Sequence, residues 1–258
     1  MSGMLVCPSC SADVAPHHKF CGKCGYPMGD VPRPQAPATA EQPPPEGRAR
    51  LVLIRGEGLD GVSYHLNAAE HHAGRRTGAI LFPEDHYLSP RHANFFYSAG
   101  RLMVRDEGSL NGVYIRIRAP IELRDGDQFL AGEELLQVEM SELTGDTVGA
   151  DNTHFFASPR AARPYRIRQV FEGGRAGLCY MARQDSVVIG REACDLNFPD
   201  DRFISGRHCK VDFTRQRVVV TDLQSRNGTY VRVKGERELV NGDYVFLGRQ
   251  LLRVEFAA

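Results

Sequence analysis

The sequence predicts an all-β chain: two tandem β-sandwiches that follow a small cysteine-rich module and a proline-rich linker. Three observations carry this reading. From Leu51 onward, short runs rich in Val, Ile, Phe and Tyr recur between turn residues, which is the pattern of strands and tight turns. No segment keeps apolar residues at i, i+3, i+4 and i+7 for three turns, so little helix is expected. The second half of the chain also repeats the first at a fixed offset of 116 residues, as Gly74-Arg75 and Gly190-Arg191 show.

Residues 1–29 hold four of the seven cysteines, spaced Cys7-x2-Cys10-x10-Cys21-x2-Cys24. Two CxxC turns aim four thiolates at one point, the tetrahedral set that Zn2+ takes, and Gly22 and Gly25 ease the turns of the second pair. A closed four-sulfur shell leaves no position for water, so the metal is expected to be structural. Two disulfides are the competing use of four cysteines. Clustered cysteines with isolated thiols beyond residue 178 fit a reducing compartment better. The segment, with "FCGKCGYPM" as its second knuckle, resembles the short zinc-ribbon domains found at the ends of many bacterial proteins. Fewer than about 30 residues cannot build a core unaided, so metal binding here is folding energy. His17 and His18 stay outside a shell that four sulfurs fill.

Residues 30–49 carry six prolines and no aromatic residue, a composition that gives a semi-extended spacer. Beyond it, "SVVIG" (186–190), "CKVDFT" (209–214), "RVVVTDL" (217–223), "GTYVRV" (228–233), "DYVFLG" (243–248) and "LLRVEF" (251–256) read as strands. Regular spacing of this kind indicates a sandwich. The 116-residue offset also pairs Phe82-Pro83 with Phe198-Pro199, Ser89 with Ser205 and Arg91-His92 with Arg207-His208. It continues through Asp106 and Asp222, Asn111-Gly112 and Asn227-Gly228, Gly126-Asp127 and Gly242-Asp243, and Leu135-Leu136 and Leu251-Leu252. A duplicated domain is the economical explanation. The expected organisation is a zinc ribbon at 1–29, a linker at 30–49, one sandwich at 50–140, a second linker at 141–163 and a second sandwich at 164–258.

In each repeat an Arg follows a Gly, a Ser comes fourteen residues later, and an Asn-Gly comes after another twenty-two. All three lie between strands, where the loops of a sandwich gather at one end and converge. A planar Arg fork, a Ser hydroxyl and loop amides are the donors that a phosphate's oxygens need. Each piece alone has a bland explanation: Asn-Gly is a common hairpin turn, and a lone surface Arg is a solvated charge. Joint spacing, used twice, favours a ligand site.

With "GREACDLNFPDDRFISGRHCKV" and "LQSRNGTYV", the repeats resemble forkhead-associated (FHA) domains, which are β-sandwiches that bind phosphothreonine in partner proteins. The resemblance covers roughly 51–140 and 164–256. It implies that Arg191 and Ser205 hold the phosphate, that Gly206 and Arg207 complete the serine loop, and that Arg226 faces the peptide while Asn227 bonds its backbone. His208 is implied to brace the loops. In the first repeat the matching residues are Arg75, Ser89, Arg91 and Asn111. There Leu110 stands where Arg226 can hydrogen-bond, Val113 replaces the usual Thr, and Pro90 lacks an N–H, so the first site is expected to be the weaker. Cys179, Cys194 and Cys209 are expected as buried small apolar residues.

The formal net charge is zero, 32 Lys+Arg against 32 Asp+Glu, which argues against a general nucleic-acid or membrane-surface binder. Residues 51–140 carry nine basic and thirteen acidic residues, net −4, and residues 164–256 carry sixteen and twelve, net +4. The second half is thus expected to be the better host for an anion. No apolar run approaches the roughly 18 residues of a membrane span, and no signal-peptide pattern opens the chain, so a cytoplasmic location is expected. Without paired carboxylates and a base, a G-x-S-x-G, a P-loop or kinase motifs, the chain is not expected to be an enzyme. The resemblance implies phosphothreonine-containing partners, including a Ser/Thr protein kinase or its substrates. The alternative is a structural assembly module whose FHA folds dock partners without phosphate.

Overall fold

The computed structural model describes residues 5–7, 12–15, 49–56, 61–140, 148–154, 156, 165–214 and 217–256. The chain divides into two compact units, residues 1–44 and 45–258. In the first, β1 (Leu5–Val6) pairs antiparallel with β2 (Asp13–Val14). Cys7 leaves β1, is buried in a small cluster with Val14, and donates its N–H to Ala12 O at 2.9 Å. Cys10, Cys21 and Cys24, like linker residues 30–48, lie outside the described residues.

The second unit is all β apart from one short 3-10 turn, Glu172–Gly174, among the described residues. No helix among them is long and apolar enough to cross a membrane. The first repeat supplies β3 (Ala49–Arg55), β4 (Ser63–His65), β5 (Glu70–Gly74), β6 (Ile80–Leu81) and β7 (Ala93–Ser98). It continues with β8 (Arg101–Asp106), β9 (Val113–Arg116), β10 (Ile121–Leu123), β11 (Gln128–Ala131) and β12 (Glu134–Met140). The second supplies β13 (Tyr165–Val170), β14 (Ala176–Met181), β15 (Ser186–Gly190), β16 (Leu196–Asn197) and β17 (Cys209–Phe213). It ends with β18 (Val218–Asp222), β19 (Thr229–Arg232), β20 (Glu236–Leu239), β21 (Tyr244–Leu247) and β22 (Gln250–Phe256).

The repeats exchange their closing strands. The sandwiches expected at 50–140 and 164–258 are each completed by the other repeat. β10 pairs with β18, β11 with β19 and β12 with β13, while β20 pairs with β8, β21 with β9 and β22 with β3. The exchange is reciprocal in register. Val138 faces Ile167 and Val254 faces Leu51, each pair related to the other by the 116-residue offset. At the centre β9 pairs with β19, Ile115 opposite Val231, and this joins both halves into one ten-stranded sheet. Each half is covered by a five-stranded sheet, β20-β8-β7-β5-β6 or β10-β18-β17-β15-β16.

Alternating burial along these strands fills two separate cores. One gathers Leu51, Phe95, Leu102 and Val104 from the first repeat with Leu239, Val245, Leu247, Leu252 and Val254 from the second. The other gathers Ile167, Ile189, Val211 and Phe213 with Leu123, Phe129, Leu136 and Val138 of the first repeat. The crossing occurs where β9 and β19 run on instead of turning back. Ile117 N donates to Thr229 O at 2.9 Å and Val233 N to Val113 O at 2.7 Å, so the central ladder lengthens at both ends.

Exchange also redistributes charge. Residues 121–140 have one basic and six acidic residues, net −5, and join residues 165–232, which have twelve and eight, net +4. Residues 49–116 have eight basic and seven acidic residues and are joined by 236–256 with three and four, which leaves zero. The −4 and +4 of the repeats therefore become 0 and −1 in the sandwiches. One visible agent is Glu139, whose carboxylate takes Arg166 and Arg168, each at 2.6 Å.

Candidate functional site

Gly190 ends β15 and must be glycine for steric reasons. A Cβ there would lie 2.1 Å from Gly206 O. That close approach lets Arg191 N donate to Ser205 O at 2.9 Å and to Gly206 O at 3.2 Å, which fixes the root of the arginine against the serine loop. Gly74 plays the same part, with Pro90 O 2.4 Å from a hypothetical Cβ and Arg75 N donating to Ser89 O at 3.0 Å.

Ser205 is held from both sides. Its backbone N–H donates to His208 Nδ1 at 3.1 Å, and its Oγ accepts Arg226 N–H at 3.1 Å. An Oγ that accepts a backbone donor keeps its own O–H for an outside acceptor. His208 Nε2 then reaches Gly228 O at 3.0 Å, so the ring carries its proton on Nε2 and ties the serine loop to the Asn-Gly turn. Asn227 Nδ2 donates to Phe203 O at 2.7 Å, leaving Oδ1 and a second amide hydrogen. The first repeat copies this: Ser89 N to His92 Nδ1 at 3.1 Å, Leu110 N to Ser89 Oγ at 3.1 Å, His92 Nε2 to Gly112 O at 2.9 Å and Asn111 Nδ2 to Tyr87 O at 2.7 Å.

The structure thus brings Arg, Ser and Asn of each repeat to one loop cluster, and the clusters differ. Arg91 is engaged by Glu107 at 2.9 Å and lies 3.3 Å from His72. At the corresponding positions the second repeat has Leu223 and Val188, and Arg207 has no ion-pair partner among the described residues. Leu110 is 84% exposed where Arg226 stands in the other cluster. Arg75 Nε is buried without a hydrogen-bond partner, an orphan donor beside the first cluster. A large cavity of about 1040 Å³ lies instead at the strand crossing, lined by residues such as Arg118, Asp127, Lys234 and Asp243, and contains none of the loop residues.

Sequence reasoning missed two supporting pairs. Asp222 Oδ1 accepts Ser225 Oγ at 2.6 Å and Thr229 Oγ1 at 2.7 Å, which stiffens the Asn-Gly turn. Asp201 Oδ1 accepts Phe203 N at 2.7 Å, and Asp85 Oδ1 accepts Tyr87 N at 3.0 Å, each shaping its serine loop. Asp85 and Asp201 obey the 116-residue offset, and that was the signal available. Of the isolated cysteines, Cys209 is buried and Cys194 partly so. Burial pushes both thiols above the ordinary range, which keeps them protonated. Cys179, expected buried, is exposed because β14 is an edge of the ten-stranded sheet.

Residues 71–132 and 187–248 each match the family model described as FHA domain. The glycogen accumulation regulator GarA of Mycolicibacterium smegmatis is 37% identical over 92 residues, 34% of this chain and 57% of its own length. An oxoglutarate dehydrogenase inhibitor of Corynebacterium efficiens is 36% identical over 99 residues, 37% of this chain and 68% of its own. A solved structure described as a structural and functional analysis of phosphothreonine-dependent FHA domain interactions shares 31% identity over 34% of this chain and 90% of that chain, with a TM-score of 0.21. The chain spans 57% to 65% of the length of the first curated relatives it matches.

Proposed function

Because the chain belongs to the FHA family and carries two copies of its domain, we propose that it is a phosphothreonine-dependent protein-binding adaptor in Ser/Thr-kinase signalling. The observation that carries this is the second loop cluster. Arg191 is rooted on the serine loop, Ser205 keeps a free O–H, and Arg207 and Arg226 stand near with no ion-pair partner among the described residues. Three arginines and a hydroxyl carried by one loop cluster suit a dianion far better than a carboxylate. Asn227, with an amide acceptor and donor left over, suits a peptide backbone passing beside the phosphate. In the first cluster Arg75, Ser89 and Asn111 offer a reduced set, since Arg91 is neutralised by Glu107. We read it as the weaker socket.

Titration of the full chain with phosphothreonine peptides tests the reading. Arg191→Ala is expected to weaken binding at the second socket about a hundredfold, the loss of two charge-assisted hydrogen bonds worth about 1.5–3 kcal/mol each, partly offset by water. Unphosphorylated and Glu-substituted peptides are expected to bind poorly. In a chain whose first socket is silenced by Arg75→Ala, affinity that survives Arg191→Ala, Ser205→Ala and Asn227→Ala together and is equal for the unphosphorylated peptide would favour docking without phosphate, the scaffold alternative.

For the first unit we infer a structural zinc ribbon closed by Cys7, Cys10, Cys21 and Cys24. What supports it is the donor chemistry, four thiolates in two CxxC turns, together with the buried Cys7 at the end of β1. Zinc there holds the fold and leaves no coordination site for chemistry.

A further inference from the structure

The strand exchange places residues of one repeat against the loops of the other. In the loop at 201–206, Asp201 Oδ2 accepts Glu133 N–H at 2.7 Å, from the β11–β12 turn of the first repeat. Gly132, in that turn, has φ +67°, and a Cβ there would lie 2.2 Å from Asp201 Oδ2 and 2.8 Å from Ile204 N. Arg55, also of the first repeat, sets its guanidinium over the Phe203 ring at 4.7 Å. Phe203 O is in turn the anchor of Asn227.

The loop at 85–90 is built in mirror fashion. Asp85 Oδ2 accepts Arg249 N–H at 2.7 Å and Gln250 Nε2 at 2.8 Å, both from the second repeat. Gly248 has φ +57° and would set a Cβ 2.5 Å from Asp85 Oδ2. The Arg249 guanidinium lies over the Tyr87 ring at 4.7 Å, and the Tyr87 hydroxyl donates to the Glu172 carboxylate. Tyr87 O anchors Asn111.

We propose that each phosphopeptide socket is positioned by the opposite repeat. Gly132, Glu133 and Arg55 set the geometry of the Arg191–Ser205–Asn227 socket, and Gly248, Arg249 and Gln250 set that of Arg75–Ser89–Asn111. These are positioning residues: they act through Asp201 and Phe203, or Asp85 and Tyr87, and not through the ligand. The proposal rests on the phosphopeptide reading of the loops. Its consequence is that damage to one repeat's closing turn is felt at the other repeat's socket.

The test uses the full chain with one socket silenced at a time, Arg75→Ala to read the second socket and Arg191→Ala to read the first. Gly132→Val is expected to lower affinity at the second socket at least tenfold and to leave the first within twofold. Gly248→Val is expected to do the reverse. Losses within the same repeat, or equal losses at both sockets, overturn the proposal. If either glycine variant fails to fold, Arg55 decides. Arg55→Ala is expected to weaken the second socket about threefold and Arg55→Lys to restore most of it, whereas no change on Arg55→Ala overturns the proposal. Amide hydrogen exchange without peptide separates the two readings. Faster exchange at 201–206 in Gly132→Val, with 85–90 unchanged, upholds the positioning even if no phosphopeptide binds the native chain, and that second result removes the phosphopeptide reading alone.

Discussion

His208 joins two loops through one ring, and that use fixes its protonation. Its Nδ1 must accept Ser205 N–H and its Nε2 must donate to Gly228 O, which only the neutral ring can do. Burial pushes its pKa below the ordinary histidine value, against a smaller opposing pull from the Gly228 carbonyl, and His92 is displaced in the same direction for the same reasons. The unfolded chain titrates its histidines near pH 6.5 and so binds more protons than the folded chain between that value and the depressed ones. Stability is therefore fully present above about pH 6.5 and is lost as pH falls below it, by up to about 1.4 kcal/mol per pH unit for each histidine. Urea midpoints between pH 7.5 and 5.5 are expected to decline, and His92→Gln with His208→Gln is expected to flatten that decline. An equally steep decline in the double variant would show that other groups cause it. Spacing marked the Arg, Ser and Asn that the loops bring together, and the bracing histidine was implied by the family resemblance. The supporting roles of Asp222, Asp85 and Asp201 were not recognised, because the repeat offset marks an aspartate without showing which loop donors it accepts.

At the scale of elements, the six runs read as strands, all in the second repeat, match observed strands to within a residue at each end. "SVVIG" is β15 itself, and "CKVDFT" exceeds β17 by one residue. β20, with the sequence EREL, escaped notice because three of its four residues are exposed and charged. Which strand closes which sandwich was not legible at all. β11 and β21 present the same burial pattern at the same offset, and β12 and β22 share theirs at all but their end residues, so either copy satisfies the same ladder and the same core. The hydrophobic pattern fixes face and register and is silent on which copy serves. The β1–β2 hairpin belongs to another module, whose two strands of two residues each cannot hold themselves together. Purified protein is expected to carry about one zinc, and chelation is expected to expose the four thiols to a thiol reagent. Because the proline-rich spacer intervenes, the melting of the sandwiches is expected to stay unchanged. A sandwich melting temperature that drops with zinc removal would contradict that independence.

At the scale of the whole molecule, exchange turns two domains into one folding unit. Leu239, Val245, Leu247, Leu252 and Val254 are at most 1% exposed in a core otherwise built by the first repeat. Leu123, Phe129, Leu136 and Val138, at most 5% exposed, fill the second core in the same way. At about 1.5–3 kcal/mol for each large buried side chain, either set alone stabilises the assembly by something on the order of 10 kcal/mol, before the β9–β19 ladder is counted. Ion pairs across the crossing, Arg118 with Asp243 at 2.7 Å and Lys234 with Asp127, add little, because Arg118 and Lys234 are more than half exposed. Cutting the covalent link between the repeats should therefore not separate them. With a protease site placed at 157–160, the cleaved chain is expected to elute from gel filtration as one species of unchanged size. It is expected to yield two fragments only in denaturant, and to keep both melting behaviour and ligand affinity in the nicked form. Sandwiches closed by their own strands would lack this mutual burial and would part on dilution to nanomolar concentration. Separation of the native fragments would thus exclude the exchanged closure, whereas co-elution that survives 1 M salt would show that buried apolar surface, and not the complementary charges of 121–140 and 165–232, holds the repeats together.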